Sequence, residues 1–322
     1  MPPKFKFILM KKLYFLLFIS CTLFSLQSNA QQDPQYTQYM YNPQTINPAY
    51  AGSRDATTFG LLLRTQWVSL EGAPKTGTFS ANTPLGALEN MGLGFSIVSE
   101  TIGPSVDTNV TVDYAYHINT NDVNKLSFGI KAGIDLLDVD FNKLQVADLG
   151  DPRFQNNIDN KLQPQFGAGV FYYSDNYYIG LSTPNILKTK HFDESSLEDT
   201  QVTSVGSESI HYFLSAGYVL KINDGLKFKP ATLIKAVSGA PLQWDVSANF
   251  LYNEKFTLGL AYRWSAAMSG MAGFQVSDEM FIGVAYDYQT TDIEAFGNGS
   301  YEMMLRYDIF NKPERVLTPR FF

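Results

Sequence analysis

Histidine, cysteine and clustered carboxylates are the side chains that could do chemistry here, and their spacing is unpromising. His117, His191 and His211 are the only histidines. None forms an H-x-x-x-H or H-E-x-x-H pair, so a helical zinc site has no ligands. Serines are common, but no G-x-S-x-G elbow occurs and no histidine is placed to activate one. Asp138-Val139-Asp140-Phe141-Asn142 begins like a calcium loop. Lys143 then stands where the sharp-turn glycine belongs and Leu149 where the bidentate glutamate belongs, so the stretch reads as a polar strand end. His117 reads the same way, closing a strand at a polar rim. The sequence predicts no enzyme, no metal centre and no cofactor.

Cys21 is the single cysteine, and it falls within a leader. Lys4, Lys6, Lys11 and Lys12 precede an apolar run from Leu13 to Leu26, and Ser28-Asn29-Ala30 offers a small-residue cleavage site. Met10 is an alternative start. Phe18 suits a lipidation site poorly, so Cys21 reads as an ordinary leader residue. Cleavage after Ala30 removes the thiol and, with it, disulfides, thiol catalysis and thiolate metal sites. The chain carries 24 Lys+Arg against 31 Asp+Glu. Without the leader's four lysines the balance is 20 against 31, a net charge of −11. That acidity argues against nucleic acid as a partner.

What must hold the remaining residues is a train of two-faced strands. Tyr301, Met303, Leu305, Tyr307 and Ile309 fall on one face of the last one, with Glu302, Met304, Arg306 and Asp308 on the other. A segment that is greasy and aromatic on one side and charged on the other fits a barrel wall, lipid outside and polar space inside. About fourteen such runs lie between Phe59 and Phe310, an even number as single-chain bacterial barrels require. Aromatic residues make up 14% of the chain, yet its mean hydropathy is slightly negative, as that half-and-half wall demands. No segment after the leader reaches the ~18 apolar residues of a spanning helix.

Tight connections (Ser174-Asp175-Asn176, Lys221 to Gly225, Asn253-Glu254-Lys255, Ser277-Asp278-Glu279) alternate with long ones (Asp140 to Lys161, Asn185 to Ser207). The fold expected is therefore all-β: a transmembrane antiparallel β-barrel of about 14 strands, with short periplasmic turns and longer extracellular loops. Inward charges of both signs are expected to pair across the lumen: Arg64, Lys131, Arg263 and Arg306 with Asp107, Asp113, Asp135, Asp245, Glu302 and Asp308. Glycines 129, 133, 167, 169, 180, 259 and 283 mostly share that inward face and leave interior room. Met304 is expected to face the lumen and to tolerate glutamine.

The expected organisation is a signal peptide over 1–30, an N-terminal periplasmic or plug segment over 31–55, the barrel over 56–310 and a periplasmic tail over 311–322. The segment is no strand: prolines 34, 43 and 48 interrupt it. Its Tyr36, Tyr39, Met40 and Tyr41 are costly to leave in water. The expectation is that it folds against the periplasmic side or lower lumen. With Arg315, Arg320, Phe321 and Phe322 of the tail it would form a docking surface for periplasmic partners; the alternative is a simple stopper.

The run Asp33-Pro34-Gln35-Tyr36-Thr37-Gln38-Tyr39-Met40-Tyr41-Asn42, followed by Ile46-Asn47-Pro48-Ala49-Tyr50-Ala51-Gly52-Ser53, closely resembles the start of the PorP/SprF family. The likeness continues through Arg64-Thr65-Gln66-Trp67, Asn90-Met91-Gly92-Leu93-Gly94 and Ile179 to Asn185, then Gly239 to Gln243, Phe250 to Phe256 and the ending from Ser300. The resemblance implies a non-enzymatic outer-membrane barrel of the type IX secretion and gliding-motility machinery. Its implied partners are outer-membrane lipid, periplasmic and outer-membrane secretion components, and a secreted surface adhesin. Two other readings compete: a passive channel for small or hydrophobic solutes, and a soluble carbohydrate-binding β protein whose aromatic face is buried.

Overall fold

The computed structural model describes residues 34–86, 90–144, 157–187, 209–238 and 240–310. The leader, the tail with Arg315, Arg320, Phe321 and Phe322, and His191 lie outside the described residues. The wall is built from β1 (Ala56–Thr65), β2 (Lys75–Leu85), β3 (Met91–Ile102), β4 (Ser105–Asn119) and β5 (Lys125–Val139). It continues with β6 (Ile158–Tyr173), β7 (Tyr177–Thr183), β8 (His211–Tyr218), β9 (Leu220–Asn223) and β10 (Leu226–Val237). The remaining strands are β11 (Gln243–Tyr252), β12 (Phe256–Arg263), β13 (Ala267–Gln275), β14 (Met280–Gln289) and β15 (Ser300–Phe310).

Every pairing is antiparallel. β1 pairs with β15 on one side and β2 on the other, and β10 pairs with β11, so the sheet closes on itself. β8 and β9 both pair with β10 and are two halves of one stave, broken at Val219, whose N–H turns to Asn176 O (2.7 Å). The barrel therefore has fourteen staves, as the alternation predicts.

Period-two facing decides what each side chain meets. Along β15, Tyr301, Met303, Tyr307 and Ile309 are exposed, whereas Glu302, Met304, Arg306 and Asp308 are buried. Outward aromatics gather towards both rims: Trp244 stacks on Trp264 at 6.1 Å near one, and Tyr177 on Tyr218 at 6.3 Å near the other. Such girdles mark the two interfaces of a lipid bilayer.

The rims differ. One carries the turns after β2, β4, β6, β9, β11 and β13, all short, including Asn253 and Glu254 with φ of 49° and 55°. Positive φ at both central residues makes this hairpin turn match the strand twist. The opposite rim carries the long connections after β5 and β7, but also two tight ones, Gly103-Pro104 and Trp264 to Ala266. Tight and long connections therefore do not alternate strictly. This rim is also uneven: β6 pairs with β7 only from Ala168 onward, and beyond that Phe166 O accepts from Ile186 N at 2.7 Å in the connection after β7.

Candidate functional site

The lumen is occupied. Pro34 to Asp55 run down its interior and join β1 at the short-turn rim, folded as three single turns over Tyr39–Tyr41, Pro43–Thr45 and Pro48–Tyr50. Proline opens the last two, where its missing N–H costs nothing and its fixed φ suits the turn. Asn47 caps the third, its Oδ1 accepting from Ala49 N at 3.0 Å.

Wall glycines make the seat. A Cβ on Gly129 would lie 2.2 Å from Ala49 N, one on Gly92 2.0 Å from Ala51 O, and one on Gly169 2.1 Å from Asn47 Oδ1. Gly94 faces the Gln44 amide at 2.5 Å and Gly283 the Gln38 amide at 2.5 Å in the same sense. At Gly129 and Gly92 the atom met is backbone and no side chain fits, while at Gly94, Gly169 and Gly283 the facing amide would have to move, so the inward glycines fit the segment as well as curving the wall.

Polar contacts fix its height. Glu302 accepts from two consecutive backbone N–H groups, Thr37 (2.6 Å) and Gln38 (3.0 Å), while Thr37 Oγ1 donates to Asp287 (2.6 Å). Arg64 pairs with both carboxylates, at 2.5 Å from Glu302 and 2.8 Å from Asp287. Gln35 reaches Asp245 (3.2 Å), which Arg263 holds, and Gln44 reaches Asp113 (3.2 Å), which Lys131 holds at 2.8 Å. At the exit Arg54 meets Asp308 at 2.7 Å. These charges thus pair along the wall, on adjacent or next-but-one strands, and with the segment. Pairing across the lumen, which the sequence suggested, is precluded because the segment fills the axis.

His117 sits near the end of β4. It lies next to the short-turn rim, but its job is internal: Nε2 sits 3.0 Å from Ala51 O and Nδ1 3.0 Å from the Tyr173 hydroxyl. A carbonyl only accepts, so Nε2 carries the proton and Nδ1 can accept from Tyr173. His211 starts β8 with its ring 6.4 Å from Phe213. The apparent calcium loop is a turn in which the Asp140 carboxylate accepts from Asn142 N (3.2 Å) and Asn157 Nδ2 (3.2 Å). Among the described residues no three His, Cys, Asp or Glu side chains are grouped to hold a metal.

Apolar packing completes the seat. Tyr36, Tyr39, Met40, Tyr41 and Ile46 pack with Leu62, Phe213, Leu233, Met271, Phe281 and Met304 of the wall. Tyr41 packs against Phe281 with the rings tilted, centroids 5.1 Å apart, and lies under Lys229 Nζ at 5.5 Å. Nearer the short-turn rim, Tyr50 meets Phe171 edge-on at 5.8 Å. Burial drives the Tyr41 hydroxyl up to about 12, against the pull of Arg306, and holds Tyr36 and Tyr39 high as well. The four residues expected to present a docking surface are 3–8% exposed and face the barrel wall. The signal for this was present in the sequence: large apolar side chains at inward positions, Leu62, Met271, Phe281 and Met304, have no use in a wet lumen.

Solved structures similar to this chain include outer-membrane barrels and channels. The CymD monoaromatic hydrocarbon channel is 11% identical, with 85% of this chain and 93% of that one covered at a TM-score of 0.50. A FadL homologue of Pseudomonas aeruginosa is 13% identical (87% and 96% covered, TM-score 0.46). Omp33 of Acinetobacter baumannii is 9% identical (79% and 99% covered, TM-score 0.46). At such identities the likeness concerns the fold alone. No curated protein sequence matches the chain. The family model described as type IX secretion system membrane protein PorP/SprF matches residues 28–307. That match takes in both the segment in the lumen and nearly all of the wall around it, and the chain belongs to the PorP/SprF family of type IX secretion system membrane proteins.

Proposed function

We propose that this outer-membrane barrel is a non-enzymatic anchor that holds type IX secretion components on one side and a secreted surface protein on the other. The observation that carries the reading is the filled lumen. A barrel whose axis is taken by Pro34 to Asp55, tied by Glu302, Asp287 and Asp113, suits holding better than passage. The short-turn rim then faces the periplasm and the long connections face the exterior, the usual arrangement of such barrels. Periplasmic components dock on the tail through Arg315, Arg320, Phe321 and Phe322, which combine charge with aromatic surface. A partner meets Tyr36, Tyr39, Met40 and Tyr41 only when the segment leaves the lumen.

The test is purification of the intact barrel from native outer membranes, with identification of the co-purifying proteins, beside a variant lacking Gln31 to Asn47. Secretion components with the wild-type barrel, together with negligible conductance in planar bilayers, support anchoring. Steady wild-type conductance with no co-purifying protein would replace this reading with that of a solute channel.

A further inference from the structure

A closed barrel covers the edges of its strands, but β9 keeps one edge open at the short-turn rim. Among the described residues β9 pairs with β10 and with no second strand. β7, which lines the other side of β8, starts only at Tyr177, opposite Tyr218. Beyond that pair the Val219 N–H bonds Asn176 O at 2.7 Å. Leu220, Lys221, Ile222 and Asn223 follow, and all four are exposed. The stretch is held in place from behind. Val219 packs inward with Leu251, and the Asn253 N–H donates to Gly225 O at 2.7 Å in the turn after β9.

The side chains of β9 are two-faced. Leu220 and Ile222, 45% and 54% exposed, share one face. Lys221 takes the other, directly opposite Lys227 of β10. Like charges so placed repel. Each lysine meets a carboxylate, Lys221 that of Asp224 at 2.7 Å and Lys227 that of Glu254 at 2.6 Å. The first pair is bathed in solvent, its side chains 64% and 100% exposed, so it adds little and exchanges readily.

An open strand edge offers N–H and C=O groups in a row, and what matches such a row is another backbone, which lipid does not supply. Lys221 then selects among backbones. A strand laid antiparallel along β9 sets one residue beside Lys221, where a carboxylate is favoured. Its two neighbours fall beside Leu220 and Ile222, where apolar side chains are favoured. The tail of this chain lacks that order, since its single acid, Glu314, stands between Pro313 and Arg315. We propose that β9 is a docking edge for an extended segment of a separate polypeptide that carries an acidic residue between two apolar ones. Only the compartment rests on the anchoring reading: with the short-turn rim in the periplasm, the polypeptide is periplasmic.

The edge is tested on the full-length barrel in lipid nanodiscs, titrated with the fluorescein-labelled peptide Ser-Thr-Val-Asp-Val-Thr-Ser and followed by anisotropy. Binding should saturate. The same peptide with proline for both valines lacks the backbone donors and should bind about tenfold more weakly. Lys221→Glu should weaken the aspartate peptide about tenfold and strengthen a peptide with lysine in that place. Lys255→Glu, one hairpin away, should leave both affinities unchanged. Heat-dependent gel migration verifies that each variant is folded. Lack of saturation, equal binding of the proline peptide or to empty nanodiscs, or undiminished binding to folded Lys221→Glu would overturn the proposal. Barrels that dimerise through β9 and exclude the peptide would overturn it too, in favour of a second copy. A barrel that conducts and has no co-purifying partner would end the anchoring reading without touching this one.

Discussion

The backbone nitrogen of Ala49 lies 2.2 Å from where a Cβ at position 129 would be, so Gly129 on β5 and the third turn of the lumenal segment occupy space that excludes any side chain. Neither partner can yield easily: one is strand backbone with neighbours on both sides, the other a capped turn. Replacing Gly129 with valine should therefore displace the segment while the wall still closes. Overpacking of this kind costs about 1–3 kcal/mol. The expected result is a barrel that keeps its heat-dependent migration but gains conductance and protease sensitivity between Pro34 and Asp55. Gly270 on β13, where a Cβ meets nothing within 4 Å, is the control, and Gly270→Ala should leave both properties unchanged.

Neighbouring residues on β15 test the facing of the wall. Leu305 points outward between Leu61 and Ile282. Arginine there should cost about 2–4 kcal/mol, the depth-dependent cost of a charge facing lipid. Met304 points inward, and at 1% exposure it packs with the tyrosines of the segment. The sequence alone makes Met304→Gln look neutral, because an inward residue in a wet lumen is solvated. In a filled lumen the amide is buried without a partner, a cost of about 1–3 kcal/mol. Urea titration of both variants in lipid vesicles should show losses of comparable size but different origin. Only Met304→Gln should also loosen the segment.

Barrel, strand count and facing were legible because they depend on local alternation, which lipid on one side makes strict. Leu62, Phe281 and Met304 break that alternation without disturbing the wall. Their meaning depends on Tyr36, Tyr39 and Tyr41, which lie far away in sequence. The same holds for Glu302. As a charge on an inward face it was recognisable, but its use in capturing the N–H groups of Thr37 and Gln38 is a contact between residues more than 260 positions apart. The glycines suggested room, and their correspondence with Asn47, Ala49 and Ala51 emerges only in three dimensions.

Turn lengths make a claim about orientation that labelling can decide. Cysteines introduced at Asp193, in the connection after β7, and at Asp278, in the turn after β13, should differ on intact cells. An impermeant thiol reagent should label the first and spare the second, and both should label once the outer membrane is opened. Equal labelling on intact cells would reverse or void the assignment of exterior and periplasm.

Alkali should open the barrel, and the direction follows from the buried phenols. The Tyr41 hydroxyl titrates near 10.0 when solvated and at about 12 in the folded barrel, chiefly because burial penalises the phenolate. Tyr36 and Tyr39 are displaced in the same direction for the same reason. The folded state thus holds its protons more tightly than the unfolded state. The stabilisation is fully present below pH 10, then declines as the pH rises through the folded value. For Tyr41 alone the two-unit difference corresponds to roughly 2–3 kcal/mol. Conductance and proteolysis of the segment should accordingly be flat from neutral pH to about 10 and rise steeply above it. A barrel carrying Tyr36→Phe, Tyr39→Phe and Tyr41→Phe together has no phenol left to ionise at these sites, so its opening should shift to higher pH. An unshifted opening would place the alkaline transition in the wall and not in the segment.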